Sequence, residues 1–111
     1  MSKKKDKTQE QNPAEEAVTR YRETLQMNAF HPWADFHLGR TLLKLGRPAE
    51  ALPHLGRAVW LHQRDAGVRL KLGEAYLLSG DRPQALEVFR QTLQIDPNNA
   101  QARWYLASNP P

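Results

Sequence analysis

The chain has 111 residues and a hydrophobic fraction of 40%, enough for one modest core and too little for two independent ones, so a single small domain is expected. It has no cysteine, which excludes a disulfide framework, a thiolate metal site and a thiol nucleophile. No run approaches the roughly 20 apolar residues of a membrane helix, and the opening MSKKKDKTQEQN has charge but no apolar stretch behind it to serve as a signal peptide. The expectation is a soluble, cytoplasmic protein without membrane insertion.

The formal charge of +4 arises from 16 basic and 12 acidic residues. Residues 1–12 hold four lysines against Asp6 and Glu10, leaving 12 basic and 10 acidic residues for the rest. The charge therefore divides between a lysine-rich leader, predicted to be a disordered tail, and a nearly balanced body. That body lacks the basic stripe by which nucleic-acid binding is recognised.

The first predicted helix runs from Pro13 to Met27. At about 100° per residue, Ala14, Ala17, Val18, Tyr21 and Leu25 share one stripe, with Glu15, Glu16, Arg20, Glu23 and Gln26 elsewhere. Next, Leu38, Leu42 and Leu45 repeat at helical spacing before Gly46, a natural residue for the left-handed end of a helix. Pro48 suits the start of a further helix whose stripe is Ala51, Leu52, Leu55, Ala58 and Val59. Leu72, Ala75 and Tyr76 then lead to Gly80. Asp81 is placed to cap and Pro83 to open the following helix, where Ala85, Leu86, Phe89 and Leu93 continue until Pro97. Asn98 or Asn99 caps a short last helix with Trp104, Tyr105 and Leu106, which Pro110 stops.

These elements repeat. Displaced by 34 residues, Leu38, Gly39, Leu43, Gly46, Ala51 and Leu52 fall on Leu72, Gly73, Leu77, Gly80, Ala85 and Leu86. Leu55 meets Phe89, Val59 meets Leu93 and Leu61 meets Ile95, each keeping apolar character. Two copies of a helix hairpin are implied. In the same frame Lys4, Lys5 and Thr8 occupy slots that should be apolar, so the helix of Pro13 to Met27 reads as an N-terminal cap.

A helix, a glycine turn and a helix at this period resemble the tetratricopeptide repeat (TPR). Leu38-Gly39, Leu42, Ala51, Leu55 and Ala58 match the family pattern in repeat one; Leu72-Gly73, Tyr76, Ala85, Phe89 and Pro97 match it in repeat two. Ala17, Tyr21 and Thr24 occupy the signature positions of a half repeat before them. Asp35 and Arg69 depart from the pattern where the family often has Trp, Gln63 replaces the closing Pro, and Thr92 the last Ala. The resemblance implies an all-α helix-turn-helix solenoid of about five helices over residues 13–107. It comprises a half repeat (13–28), repeats at 32–65 and 66–99, and a capping helix (100–107), preceded by the tail (1–12).

It also implies a function: an adaptor, assembly factor or chaperone-like subunit that holds a peptide or helix of another protein in a concave groove lined by the first helix of each repeat. A self-assembling structural subunit is the alternative. Trp33, Phe36, Arg40, Leu43 and Lys44 form a stripe separate from the core stripe, and in a similar TPR those positions face the groove. Their equivalents are Gly67, Leu70, Glu74, Leu77 and Leu78, while Trp104 recurs in the register of Phe36 and Leu70. The expected partner-binding groove is therefore Trp33, Phe36, Arg40, Leu43, Lys44, Leu70, Glu74, Leu77 and Trp104.

Alternatives stand beside this reading. Phe36, Leu70 and Trp104 could stack on one another as extra core, and Arg40 with Glu74 could form a surface ion pair across adjacent helices. Phe36 and Arg40 occupy slots where chaperone-tail-binding members have Lys and Asn, which disfavours a carboxylate clamp. Trp60, off its stripe, is either covered by tail and loops or is an oligomer contact. His31, His37, His54 and His62 show no HxxxH or HExxH spacing. With no phosphate-cradling glycine loop or nucleophile–base–acid set, neither enzyme activity, metal, cofactor nor small-molecule substrate is expected.

Overall fold

The structure, a computed structural model, describes residues 12–109. The expected tail, apart from Asn12, and the helix-stopping Pro110 lie outside the described residues. Six helices follow one another without strands among the described residues: α1 (Pro13–Met27), α2 (Ala34–Lys44), α3 (Pro48–Leu61), α4 (Ala66–Leu78), α5 (Arg82–Ile95) and α6 (Ala100–Ser108). A half repeat, two hairpins and a closing helix make six, one more than the five expected.

Short polar side chains set the helix starts. Asn12, Asp65, Asp81 and Asn99 each accept a hydrogen bond from the backbone N–H three residues on, satisfying a donor the first helical turn cannot pair internally. Asn12 thus belongs to α1 as its cap. In α2 the role passes to His31, whose Nδ1 accepts from the N–H groups of Trp33 and Ala34 at 3.2 and 3.1 Å. The hairpins α2–α3 and α4–α5 turn at Gly46 and Gly80, whose φ values of 73° and 92° lie in the left-handed region open to glycine.

Each helix packs chiefly on its neighbours in the chain, giving an elongated body of 55 × 31 × 21 Å. Within each hairpin the closest approach is at a glycine. A Cβ on Gly39 would stand 2.5 Å from Leu55 Cγ, and one on Gly73 would stand 2.5 Å from Phe89 Cε1. Around these contacts lie two apolar clusters, one centred on Leu38, Leu42, Leu55 and Ala75, the other on Leu70, Leu86, Phe89 and Ala102.

The departures from the repeat pattern have local explanations. Asp35 is fully buried, with Oδ1 2.9 Å from His54 Nδ1 and Oδ2 3.3 Å from Arg57 Nε. One period later Arg69 donates to Gln91 Oε1 at 3.1 Å and to the Gln63 carbonyl at 2.8 Å. Arg57 and Gln91 are equivalent positions, so a polar bridge between first and second helix replaces the aromatic residue in both hairpins, an acid facing a base in the first and a base facing a neutral amide in the second. Thr92, also fully buried, donates its hydroxyl to the Val88 carbonyl at 3.0 Å, which satisfies the group it brings into the core.

Candidate peptide-binding groove

The first helices of the two hairpins, α2 and α4, and the closing helix α6 share one open face. A cavity of about 270 Å³ crosses all three, lined by Arg40, Leu43 and Lys44 from α2, Lys71, Glu74, Leu77 and Leu78 from α4, and Tyr105 from α6. Five of the nine expected groove residues, Arg40, Leu43, Lys44, Glu74 and Leu77, are therefore brought together. Leu78, which shares this lining with four charged residues, is 64% exposed.

Trp33 and Phe36 continue this face toward the start of α2. Their rings meet edge to face at 5.8 Å, and the Arg40 guanidinium lies 5.4 Å from the centre of the Phe36 ring. On its other side Trp33 stacks on His62 at 3.8 Å, which ties the start of α2 to the end of α3. The His62 ring also contacts the Pro32 carbonyl. Phe36 is half-buried and packs against the first apolar cluster, so it is both wall and support.

Two expected positions differ. Leu70 is only 4% exposed and packs with Ala85, Leu86, Phe89 and Ala102; the closing helix α6 covers it, and the groove passes instead through the next residue, Lys71. Trp104 is 63% exposed and edge-on to Tyr105, beside a separate shallow cavity lined by Ala100, Gln101, Trp104 and Tyr105. Phe36, Leu70 and Trp104 do not form one stack.

Lys71, Leu78 and Tyr105 line the cavity and are absent from the expected set. A stripe through Lys71, Glu74 and Leu78 at helical spacing would have found the first two, and the register that Lys71 shares with His37 leads on to Tyr105. Glu74 is held by both: Lys71 Nζ lies 3.0 Å from Oε1, and the Tyr105 hydroxyl donates to Oε2 at 2.9 Å. Burial, then the Glu74 carboxylate, pushes the Tyr105 phenol up to about 12. Arg40 is engaged by Phe36 and, at 3.4 Å, by His37 Nδ1, so the two charges that could have paired, Arg40 and Glu74, face different partners. Burial, then the charges of Arg40 and His31, lowers the His37 imidazole below its ordinary value. The groove accordingly has a leucine floor, three cationic side chains on its walls and one carboxylate already neutralised by Lys71.

Trp60 is 64% exposed on α3, and no described loop covers it. Among the described residues no group of three or more His, Asp or Glu is placed to hold a metal ion, and no helix is long and apolar enough to cross a membrane.

The tetratricopeptide repeat model matches residues 9–67, 36–100 and 70–108. No curated protein matches the chain in sequence, but solved structures do. YrrB, described as a TPR protein with an unusual peptide-binding site, superposes with a TM-score of 0.82 at 29% identity, over 86% of this chain and 50% of its own. MamA (41-end) from Desulfovibrio magneticus RS-1 superposes with a TM-score of 0.80 at 24% identity, over 86% of this chain and 56% of its own, a likeness of fold. The chain thus spans about half the length of these relatives. With three overlapping matches to the repeat and the hairpin geometry described above, the chain belongs to the tetratricopeptide repeat family, whose members are protein-interaction modules.

Proposed function

We propose that this protein binds an extended or helical segment of another polypeptide in the groove along α2, α4 and α6, as an adaptor, assembly factor or chaperone-like subunit. The observation that supports it is the cavity shared by all three helices. Leu43, Leu77 and Leu78 present apolar surface at its floor and rim while Arg40, Lys44 and Lys71 surround it. Apolar surface set among a few directed polar groups suits recognition of a segment with an apolar side chain and a nearby acceptor or carboxylate. The peptide-binding site named for YrrB adds analogy to this reading.

Two first helices and a short third make a short groove. A single peptide should bind at micromolar strength or weaker, about 8 kcal/mol at most. The test is selection of binding peptides from a random library, followed by calorimetric titration of wild type and of an Arg40→Ala, Leu78→Ala variant. Leu78 is largely exposed, so the variant should keep its helical circular dichroism. Loss of affinity of about tenfold or more, near 1.4 kcal/mol, is expected; undiminished binding by the folded variant would exclude the groove.

A further inference from the structure

The two ends of the described array are complementary halves. α6 stands in the register of α2 and α4: Leu106 falls on Leu38 and Leu72, and Ala107 on Gly39 and Gly73. α1 stands in the register of α3 and α5, the second helices of the hairpins. Among the described residues, then, α6 is a first helix without its second, and α1 a second helix without its first.

Burial shows the same thing residue by residue. In both hairpins the glycine of the first helix receives a large side chain of the second, Leu55 at Gly39 and Phe89 at Gly73. On α6 the equivalent Ala107 is exposed, and Leu106 is half-buried where Leu38 is fully buried. On α1, Ala17, Tyr21 and Thr24 are half-buried, whereas their equivalents Ala51, Leu55 and Ala58, and again Ala85, Phe89 and Thr92, are fully buried. Met27 is 89% exposed, yet Leu61 and Ile95 at its register are half-buried.

α1 already makes one of the two contacts its register calls for. Tyr21 stacks on His37 at 5.6 Å as Phe89, at the equivalent position, stacks on Tyr105 at 4.5 Å. Phe89 also lies against Gly73; among the described residues Tyr21 has no glycine partner of that kind. Nor does the backbone supply the hairpin turn there. Asn12, equivalent to Gly46 and Gly80, is extended at φ −73° and ψ 162°, not in the left-handed conformation that folds those two hairpins back.

We propose that the chain associates head to tail with further copies of itself, α6 of one copy packing against α1 of the next. The two half repeats then make a whole one, with Ala107 receiving the partner's Tyr21 in the manner of Gly73 and Phe89. Each face carries the register the other lacks, which is the argument for a second copy as occupant. Charge is compatible: α6 has Arg103 alone, while α1 holds Glu15, Glu16 and Glu23 against Arg20 and Arg22. Such a contact joins unlike faces, so growth is open-ended. A single helix-on-helix seam falls at the small end of interface sizes, roughly below 1,200 Å², so the association is weak and concentration-dependent.

Sedimentation velocity of the full chain over a wide span of concentration tests this. The weight-average mass should climb continuously above the 12.7 kDa of one chain, with no fixed stoichiometry. Met27→Glu, which spoils the α1 face, and Ala107→Glu, which spoils the α6 face, change exposed residues and should keep full helicity. Each alone should be monomeric. Mixed, they retain one good face of each kind and should form a one-to-one dimer and nothing larger. Three results overturn the proposal: a single-chain mass at every concentration, loss of association in Ala107→Glu but not in Met27→Glu (pairing of two α6 faces), or no dimer in the mixture. Neither residue lines the groove, so any of these leaves the peptide-binding reading standing.

Discussion

A glycine in a helix interior is ordinarily a weakness, about 1 kcal/mol less favourable than alanine, yet Gly39 and Gly73 sit mid-helix where α2 and α4 meet their hairpin partners. The reason is contact: a Cβ at Gly73 would come within 2.5 to 3.1 Å of three carbons of the Phe89 ring, and that ring also stacks on Tyr105 at 4.5 Å. Fully buried, the ring has little room to move aside. Gly73→Leu should therefore destabilise the protein by roughly 1–3 kcal/mol through overpacking, measured by chemical denaturation. A neutral result would show that the hairpin opens more easily than its packing implies. The buried Asp35 is the other residue whose position matters, since a carboxylate removed from water requires its charged and hydrogen-bonded partners, and His54 and Arg57 supply them.

At the scale of elements, α6 is bound to α4 through Tyr105 as well as through apolar packing. The phenol titrates near 12 in the folded protein, above its ordinary value of 10.0. A raised pKa means that this contribution to stability is complete below the unfolded value and is lost as pH rises from there toward the folded one. Followed by phenolate absorbance, one tyrosine should ionise late, near 12, and Tyr105→Phe should remove that step. If the late step persists in the variant, Tyr105 is not its source. The helices themselves were legible in the sequence because their punctuation is chemical: Pro48 and Pro83 near helix starts, Asp81 and Asn99 as caps, Gly46 and Gly80 at turns. The groove was legible only in part. A stripe tells which way Leu70 points relative to its own hairpin; it cannot tell that α6, two helices later, covers that side and leaves Lys71 facing the groove. Asp35 was conspicuous as a departure from the repeat, but its burial depends on His54 and Arg57, about one hairpin away, which no local pattern connects to it.

Along the whole array of described residues each helix touches its chain neighbours and little else, so stability is carried by a row of adjacent interfaces. Among the described residues the two end helices each have one such interface and the inner ones two. Amide hydrogen exchange should accordingly be fastest in α1 and α6 and slowest in α3 and α4. Uniform protection along the chain would instead indicate that the array opens as one unit.

The unlike polar bridges have a consequence for how such a chain can change its length. A hairpin excised whole takes its own bridge with it and leaves the other intact. A period cut from the middle of one hairpin to the middle of the next does not. Joining α2 directly to α5 would set Asp35 opposite Val88 and Gln91, the equivalents of His54 and Arg57, so a carboxylate would be buried beside an apolar side chain and a neutral amide with no cation in reach. Leaving a buried charge without its partner costs about 3–5 kcal/mol, a large share of what so small a domain has. The two hairpins, alike in backbone, are therefore not interchangeable helix for helix: the buried acid ties α2 to its own α3, and a period can be lost only as a whole hairpin.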